Sequence, residues 1–308
     1  MNLLQKSLQK PNSDQLNQAG PLIVLLGQTA SGKSSLGMAM AEKYQGEIIC
    51  ADSRTMYRGM DIGTAKPSQQ DRHKIQHYLL DIVEPTKSVS AHEFVQLAKS
   101  SLETIWAQKK PAFLIGGSGM YIDALIYDYH FRSILAKDED PRNLTESALH
   151  ERAQALYPFE YEQIDNKNRR RLEHLIERGP VNSEDRQQLA YNVLIIGLET
   201  TKEVLQVRIQ ARTHQMLEAG FVDEVRDLIR LYGVDIPGLQ TTGYKQVKQY
   251  LDGVIEEVDL ESAINQATWQ LAKKQKTWFK RNHFISWCED NDTVEQEIST
   301  YLEQWRLQ

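Results

Sequence analysis

The sequence predicts an α/β fold, a parallel sheet covered by helices on both faces, with a helical subdomain inserted into it. Three observations carry this. Short apolar runs alternate with longer stretches of helical periodicity, the rhythm of strand–helix–strand crossovers. Three of those runs end in unusual loops, at Gly27, Asp52 and Gly116, and such loops lie where parallel sheets bind ligands, at the carboxyl ends of strands. Residues 128–190, finally, are polar, charged and helical in pattern, with no convincing strand.

Taken in order, residues 1–20 are polar and rich in Gln, Asn and Ser, and are expected to form a disordered tail. Leu22–Leu26 is a buried strand feeding a glycine-bearing loop, and Ser35–Tyr44 follows with good helix formers. Glu47–Ala51 is a second strand, ending at Asp52, and a turn-rich segment runs to Pro67. His77–Val83 reads as a third strand, stopped by Glu84-Pro85. Ala91–Gln108 is an amphipathic helix with Phe94, Leu97, Ala98, Leu102, Ile105 and Trp106 on one side, broken by Pro111. Ala112–Ile115 is a short buried strand before Gly116-Gly117-Ser118-Gly119.

After the insertion, Val193–Leu198 returns to the main sheet. Helices are expected at Lys202–Ala219 and Phe221–Tyr232, joined at Gly220, then a loop at Pro237–Gly243 and a long helix at Glu257–Arg281. Phe284–Trp287 suits an edge strand, followed by a C-terminal helix. Residues 21–127 and 191–308 thus form the core, and 128–190 the insertion.

Composition narrows the class. With only Cys50 and Cys288 there is no disulfide framework, which fits a reducing, cytoplasmic compartment. The eight histidines are scattered and no C-x-x-C pair occurs, so a zinc site is not expected. No apolar run is long enough to span a bilayer. The net charge of −6 hides a local contrast. Ser262 to Trp287 contains Lys273, Lys274, Lys276, Lys280 and Arg281 but no acid, and Lys167, Arg169, Arg170 and Arg171 form a second basic cluster. A basic stripe on an acidic body suits a polyanion held at one defined surface, although either cluster alone reads equally as a solvated helix face.

The chemistry starts at Gly27–Ser34, G-Q-T-A-S-G-K-S, which matches the phosphate-binding P-loop pattern at every fixed position and makes the sheet P-loop NTPase-like. Gly27 and Gly32 allow a tight turn, so that amides of the loop can hold phosphate oxygens at a helix N-terminus. Lys33 adds a point charge, and Ser34 offers a hydroxyl to a magnesium ion. Asp52, at the end of a second strand, could be a magnesium ligand, a general base or simply the N-cap of the next helix.

The combination of G-Q-T-A-S-G-K-S, A-D-S-R-T-M-Y-R-G-M-D-I-G-T-A-K-P, H-Y-L-L-D-I-V-E-P, G-G-S-G-M-Y and L-A-K-K-Q-K-T-W-F-K, in that order, resembles the tRNA dimethylallyltransferases, also called tRNA isopentenyltransferases. The likeness runs from about residue 21 to 287 and is loose only in the insertion. It implies a kinase-like fold whose P-loop binds a diphosphate leaving group. The implied reaction transfers a dimethylallyl group from dimethylallyl diphosphate to the exocyclic N6 amine of the adenosine following the anticodon in tRNA. The implied partners are the anticodon stem-loop and the donor, with Mg2+ as cofactor and the chain acting as a monomer away from membranes.

By the same resemblance, Gly27, Gln28, Thr29, Ala30, Ser31, Gly32, Lys33 and Ser34 hold the diphosphate, and Asp52 is the general base. Arg212 and Arg208, one helical turn apart, reach the diphosphate, unless they only pair with Glu203 or Glu218 on their own helix. The tRNA contacts carried over are Asp52, Ser53, Arg54, Thr55, Ser118, Arg170, Arg171, Thr242, Lys245, Gln246, Lys273, Lys274, Gln275 and Lys280. Trp278 reads as a core aromatic rather than a base-stacking platform. The sequence departs from the family at Thr55 and Ser118, where Gln and Thr are usual, and at His174, where an arginine is usual. Competing readings are a small-molecule kinase, a transferase acting on free adenine nucleotides, and a non-catalytic tRNA-binding module.

Overall fold

A computed structural model describes residues 20–129, 141, 144–178 and 188–306, so the expected tail at 1–20 lies almost wholly outside the described residues. The chain divides into two compact units, residues 1–126 with 189–308, and residues 127–188.

The first unit is built on a six-stranded parallel sheet. Its strands are β1 (Leu22–Gly27), β2 (Glu47–Cys50), β3 (His77–Tyr78), β4 (Ala112–Gly116), β5 (Val193–Leu198) and β6 (Ser286–Cys288), in the order β3-β2-β4-β1-β5-β6. β1 is central, with Leu22 opposite both Ala112 and Val193, and every residue of β1, β4 and β5 is buried. Burial on both faces is why these strands read as continuous apolar runs rather than alternating ones. Because the strands are parallel, the loops after neighbouring β1, β4 and β2 open on one rim.

Helices cover the sheet: α1 (Lys33–Lys43), α2 (Gln69–Lys74), α3 (Ala91–Ala107), α4 (Gly119–Ile126), and then α8 (Lys202–Glu218), α9 (Phe221–Tyr232), α10 (Tyr244–Leu251), α11 (Glu257–Phe279) and α12 (Asn291–Arg306). α3 shows the local logic. Ser90 accepts from Glu93 N while Glu93 accepts from Ser90 N, a reciprocal cap. From there Phe94, Ala98, Leu102 and Ile105 turn inward at helical spacing. Leu97, expected on that face, is 41% exposed, and Ser101 takes the inner position with its hydroxyl bonded to Leu97 O.

Two expectations about elements need correction. Only His77–Tyr78 of the run His77–Val83 joins the sheet, because Leu79 (φ 64) and Asp81 (φ 52) turn the backbone out of the extended region. Val83 then meets Tyr57 in an isolated parallel bridge. The sequence pattern assigns no element to Tyr244–Leu251, yet this stretch forms α10, whose first turn is capped when Gly243 N donates to Gln246 Oε1. A helix of two turns offers too few apolar repeats for periodicity to show.

The second unit carries α5 (Glu146–Leu156), α6 (Pro158–Gln163) and α7 (Arg169–Arg178) around Leu149, Ala153, Leu172, Leu175 and Ile176. Its described elements are all helical, as the polar, strandless pattern implies. Arg169 ties it together, donating to Glu173 and to Leu144 O.

Candidate active site

The loop Gly27–Ser34 joins β1 to α1, and two left-handed residues shape it, Ala30 (φ 63) and Gly32 (φ 96). Glycine adopts such a φ freely, but alanine does so only where neighbours hold it. Here Ser31 N donates to Gln28 O at 3.1 Å, Thr29 N to Gln275 Oε1 at 2.7 Å, and Arg208 Nη1 to Ser31 O at 3.0 Å. Ser31 Oγ is buried with no hydrogen-bond partner among the described residues, so this loop keeps a donor in reserve. Ser34 lies in the first turn of α1 and is exposed.

Lys33 is buried at 8% exposure and its Nζ donates to Gln28 O at 3.2 Å. Burial lowers its pKa to about 8, against the field of Asp52, while Arg212 and Arg54 push the same way as burial. A buried lysine bonded only to a carbonyl lacks the carboxylate that would ordinarily offset its desolvation. The guanidinium groups above it are arranged likewise. Arg212 Nη1 reaches Thr29 Oγ1 at 3.3 Å and its Nη2 reaches Thr64 O at 3.5 Å. Arg208 and Arg212 therefore turn to the loop rather than along their own helix, where Glu218 pairs with His214 at 3.3 Å. Burial lowers the pKa of Arg212 and of Arg54, and Asp52 opposes both shifts. Four cations thus converge on the loop and on Asp52, bonded to neutral oxygens.

Asp52 follows β2 and is half-buried. One oxygen, Oδ1, accepts from Arg54 N at 3.1 Å, which closes a short turn; Oδ2 makes no hydrogen bond among the described residues. Thr55 Oγ1 donates to Asp52 O at 3.1 Å and finishes that turn. The β2 and β4 loops are sewn together here. Ser118 N donates to Ala51 O, Ser53 N to Ser118 Oγ at 3.0 Å, and a Cβ on Gly116 would lie 2.0 Å from Ala51 O. From a distant part of the chain, Thr242 Oγ1 accepts from Arg54 Nη2 at 3.2 Å. Asp52, Ser53, Arg54, Thr55, Ser118 and Thr242 are accordingly one connected cluster beside the loop.

The neighbouring segment Asp61–Pro67 is different. Lys66, with a side chain 1% exposed, pairs with Asp61 at 2.8 Å and Asp81 at 2.5 Å, and Arg72 also holds Asp81 at 2.6 Å. Three successive amides, of Asp61, Ile62 and Gly63, donate to the Glu224 carboxylate, which also accepts from Tyr244 OH. Nothing in the sequence singles out Glu224, since one acid among several in the first turns of α9 carries no signal of the distant amides it meets.

A family described as IPP transferase matches residues 55–282. The chain belongs to the IPP transferase family. A tRNA dimethylallyltransferase of Synechocystis is 38% identical to it, covering 88% of this chain and 91% of that one. A tRNA dimethylallyltransferase of Anoxybacillus flavithermus is 35% identical, covering 92% and 96%. Among solved structures, the full-length tRNA isopentenylpyrophosphate transferase of Bacillus halodurans superposes with a TM-score of 0.72 at 30% identity, covering 93% of this chain and 98% of that chain. A eukaryotic dimethylallyltransferase acting on tRNA shares the fold, with a TM-score of 0.75 at 23% identity and coverage of 92% and 77%.

The IPP transferase match includes the basic stripe of α11, and the structure sorts its residues. Lys273, Lys274 and Lys280 are exposed, Lys276 pairs with Glu199 at 3.7 Å, and Arg281 lies over the Trp278 ring at 5.5 Å. Trp278 is an anchor, its Nε1 donating to the buried Asp123 at 2.9 Å. Gln275 points inward at 9% exposure, away from the three exposed lysines. On α10 Lys245 is exposed, while Gln246 is occupied in capping. In the second unit Arg171 is exposed and 3.8 Å from Asp165; the side chains of Arg170 and His174 lie outside the described ones. No helix among the described residues is long and apolar enough to cross a membrane.

Proposed function

We infer that this chain transfers a dimethylallyl group from dimethylallyl diphosphate to the N6 amine of the adenosine following the anticodon in tRNA, releasing diphosphate. Membership of the IPP transferase family supports the reaction class, and one observation carries the assignment of roles. Lys33, Arg208 and Arg212 surround the P-loop bonded only to neutral oxygens, and Asp52 stands beside them with an oxygen to spare.

An adenine amine is a poor nucleophile because its lone pair is delocalised, so removing its proton as the bond forms lowers the barrier. Asp52 Oδ2 takes that proton while Arg54 N holds Oδ1 and fixes the carboxylate. As the N–C bond forms, the C–O bond to diphosphate breaks and negative charge grows on the leaving oxygens. Lys33, Arg208, Arg212 and the loop amides other than those of Thr29 and Ser31, which are bonded within the protein, are preorganised for that charge. Among the described residues no group of three His, Cys, Asp or Glu side chains could hold a metal ion. The exposed Ser34 hydroxyl is the group that would hold a magnesium ion, and such an ion, when bound, would supply charge neutralisation for the leaving diphosphate.

The acceptor lies on the side of Thr242, Lys245, Lys273, Lys274 and Lys280, which grip phosphates of the anticodon stem-loop as the target base leaves its stack. One chain carries both the donor loop and these lysines, so a monomer suffices. The test is mass spectrometry of tRNA nucleosides after incubation with dimethylallyl diphosphate and magnesium. A prenylated adenosine is expected from the parent, and roughly two orders of magnitude less per unit time from Asp52→Asn. Prenylation of free adenine nucleotides in place of tRNA would favour the nucleotide transferase, and phosphoryl transfer from ATP the kinase.

A further inference from the structure

Gln275 is an oddity of α11. Ala272 and Phe279, about one turn to either side on the inner face, are apolar and buried, and a leucine would fill the same space. A carboxamide in that position is tolerated only if both of its ends find partners. They do. Oε1 accepts from Thr29 N at 2.7 Å and Nε2 donates to Gly117 O at 3.0 Å. One residue therefore bonds the loop after β1 and the loop after β4 at once. A second carboxamide repeats the link in reverse, with Gln28 Nε2 donating to Ala272 O at 3.0 Å.

We propose that Gln275 is a positioning residue that holds the donor loop in its anion-binding shape, rather than a residue that touches tRNA. The loop's shape depends on a left-handed alanine at position 30, a conformation that persists only where surrounding contacts over-determine it. The bond to Thr29 N is one of the few such contacts, immediately before the strained residue. Thr29 also receives Arg212 through its hydroxyl, so the same residue that Gln275 fixes seats a cation of the site. Two residues earlier on the same helix, Lys273 is exposed. Gln275 thus ties the donor loop to the seat of the helix that presents the lysines. This inference rests on the functional reading above for the words donor and tRNA, but its geometry does not.

The experiment compares Gln275→Leu and Gln275→Glu with the parent. Inorganic diphosphate affinity is measured by calorimetry, the Thr29 amide by hydrogen exchange, and tRNA affinity by titration. Gln275→Leu strands a buried amide and is expected to weaken diphosphate binding about ten-fold or more and to speed Thr29 exchange at least as much. Gln275→Glu keeps the acceptor for Thr29 N and loses the donor to Gly117 O, so its Thr29 exchange stays closer to the parent. In the transfer reaction the donor KM rises for Gln275→Leu while the tRNA KM holds. Weaker tRNA binding with unchanged diphosphate affinity and unchanged Thr29 exchange would overturn the proposal and make Gln275 a tRNA contact. Should Gln275→Leu fold poorly, Gln275→Met, which also removes both hydrogen bonds, decides: diphosphate affinity and Thr29 exchange equal to the parent's, together with weakened tRNA binding, overturn it equally. A parent without prenyl transfer would sink the functional reading alone, since diphosphate binding and Thr29 exchange still report on the loop.

Discussion

The donor loop Gly27–Ser34 and the segment Asp61–Pro67 are both rich in charge or glycine, both lie beyond strand ends of one sheet, and both form part of the same long resemblance. They use their charges in opposite ways. Around the donor loop Lys33, Arg208 and Arg212 are bonded to carbonyl and hydroxyl oxygens, so their charge is free to meet an anion. In the second segment Lys66 is closed between Asp61 and Asp81, and the backbone amides are closed by Glu224. A motif lysine can therefore be a ligand-binding group or a rivet, and the difference lies in whether a carboxylate is bonded directly to it. A buried cation without one destabilises the fold, and such a group is retained where ligand binding depends on it.

Removing each lysine in turn should give the largest and most opposite effects. Lys33→Met should lower prenyl transfer by a factor on the order of 10² to 10³, because it deletes a group aimed at the leaving oxygens. Its stability at neutral pH should rise, since a buried charge is replaced by an apolar chain of similar length. Transfer kinetics and thermal unfolding on one preparation check both halves; parent-like turnover would mean that this lysine is not aimed at the donor. Lys66→Met should do the reverse. Asp61 and Asp81 lose their partner, but both are partly exposed and Arg72 still holds Asp81, so the loss should be about 1 to 3 kcal/mol. Urea unfolding measures it. Transfer abolished at unchanged stability would place Lys66 in the reacting site and erase the contrast.

A subtler test uses pH. Lys33 is lowered from 10.5 to about 8 in the folded chain, so between those values the unfolded chain binds the extra proton. Stability contributed by this group is therefore lowest below pH 8 and rises with pH through the window to 10.5. Donor binding runs the other way. The diphosphate favours charged Lys33, so above pH 8 binding must take up a proton, and affinity should fall toward ten-fold per unit. Calorimetry in buffers of different ionisation enthalpy would detect the uptake. Lys33→Met should lose both trends, and a parent without them would show the loop lysine to be ordinarily solvated.

The smallest effect belongs to the acceptor side. Replacing Lys273 and Lys280 by Ala should weaken tRNA binding and flatten the salt dependence by roughly 0.7 to 0.9 log unit per lost phosphate contact. Stability should barely move, because both side chains are exposed. A salt series on parent and double mutant decides it, and identical slopes would return this face of α11 to plain solvated surface.

Much of this molecule is legible in its residues. Leu22–Leu26 and Val193–Leu198 announce buried parallel strands because both of their faces are apolar, and Gly27–Ser34 announces a phosphate loop because its glycines and lysine occur at one spacing. Both are local properties, which a sequence displays directly. The apolar run His77–Val83 misleads for a related reason: hydrophobicity records burial, and Leu79 is buried without being extended. Which groups already have partners, by contrast, depends on how the elements come together in space. Arg208 and Arg212 could have paired along α8, but the fold brings Ser31 and Thr29 within reach instead. Lys66 and Lys33 are both motif lysines, and the placement of Asp61 and Asp81 against Lys66 separates them. Gln275 sits in a stripe of exposed lysines by sequence and in the core by position, more than two hundred residues from the Thr29 amide it holds. A hydrogen bond across that separation leaves no periodicity or composition behind, because it depends on where two elements come to rest and not on what either one is made of.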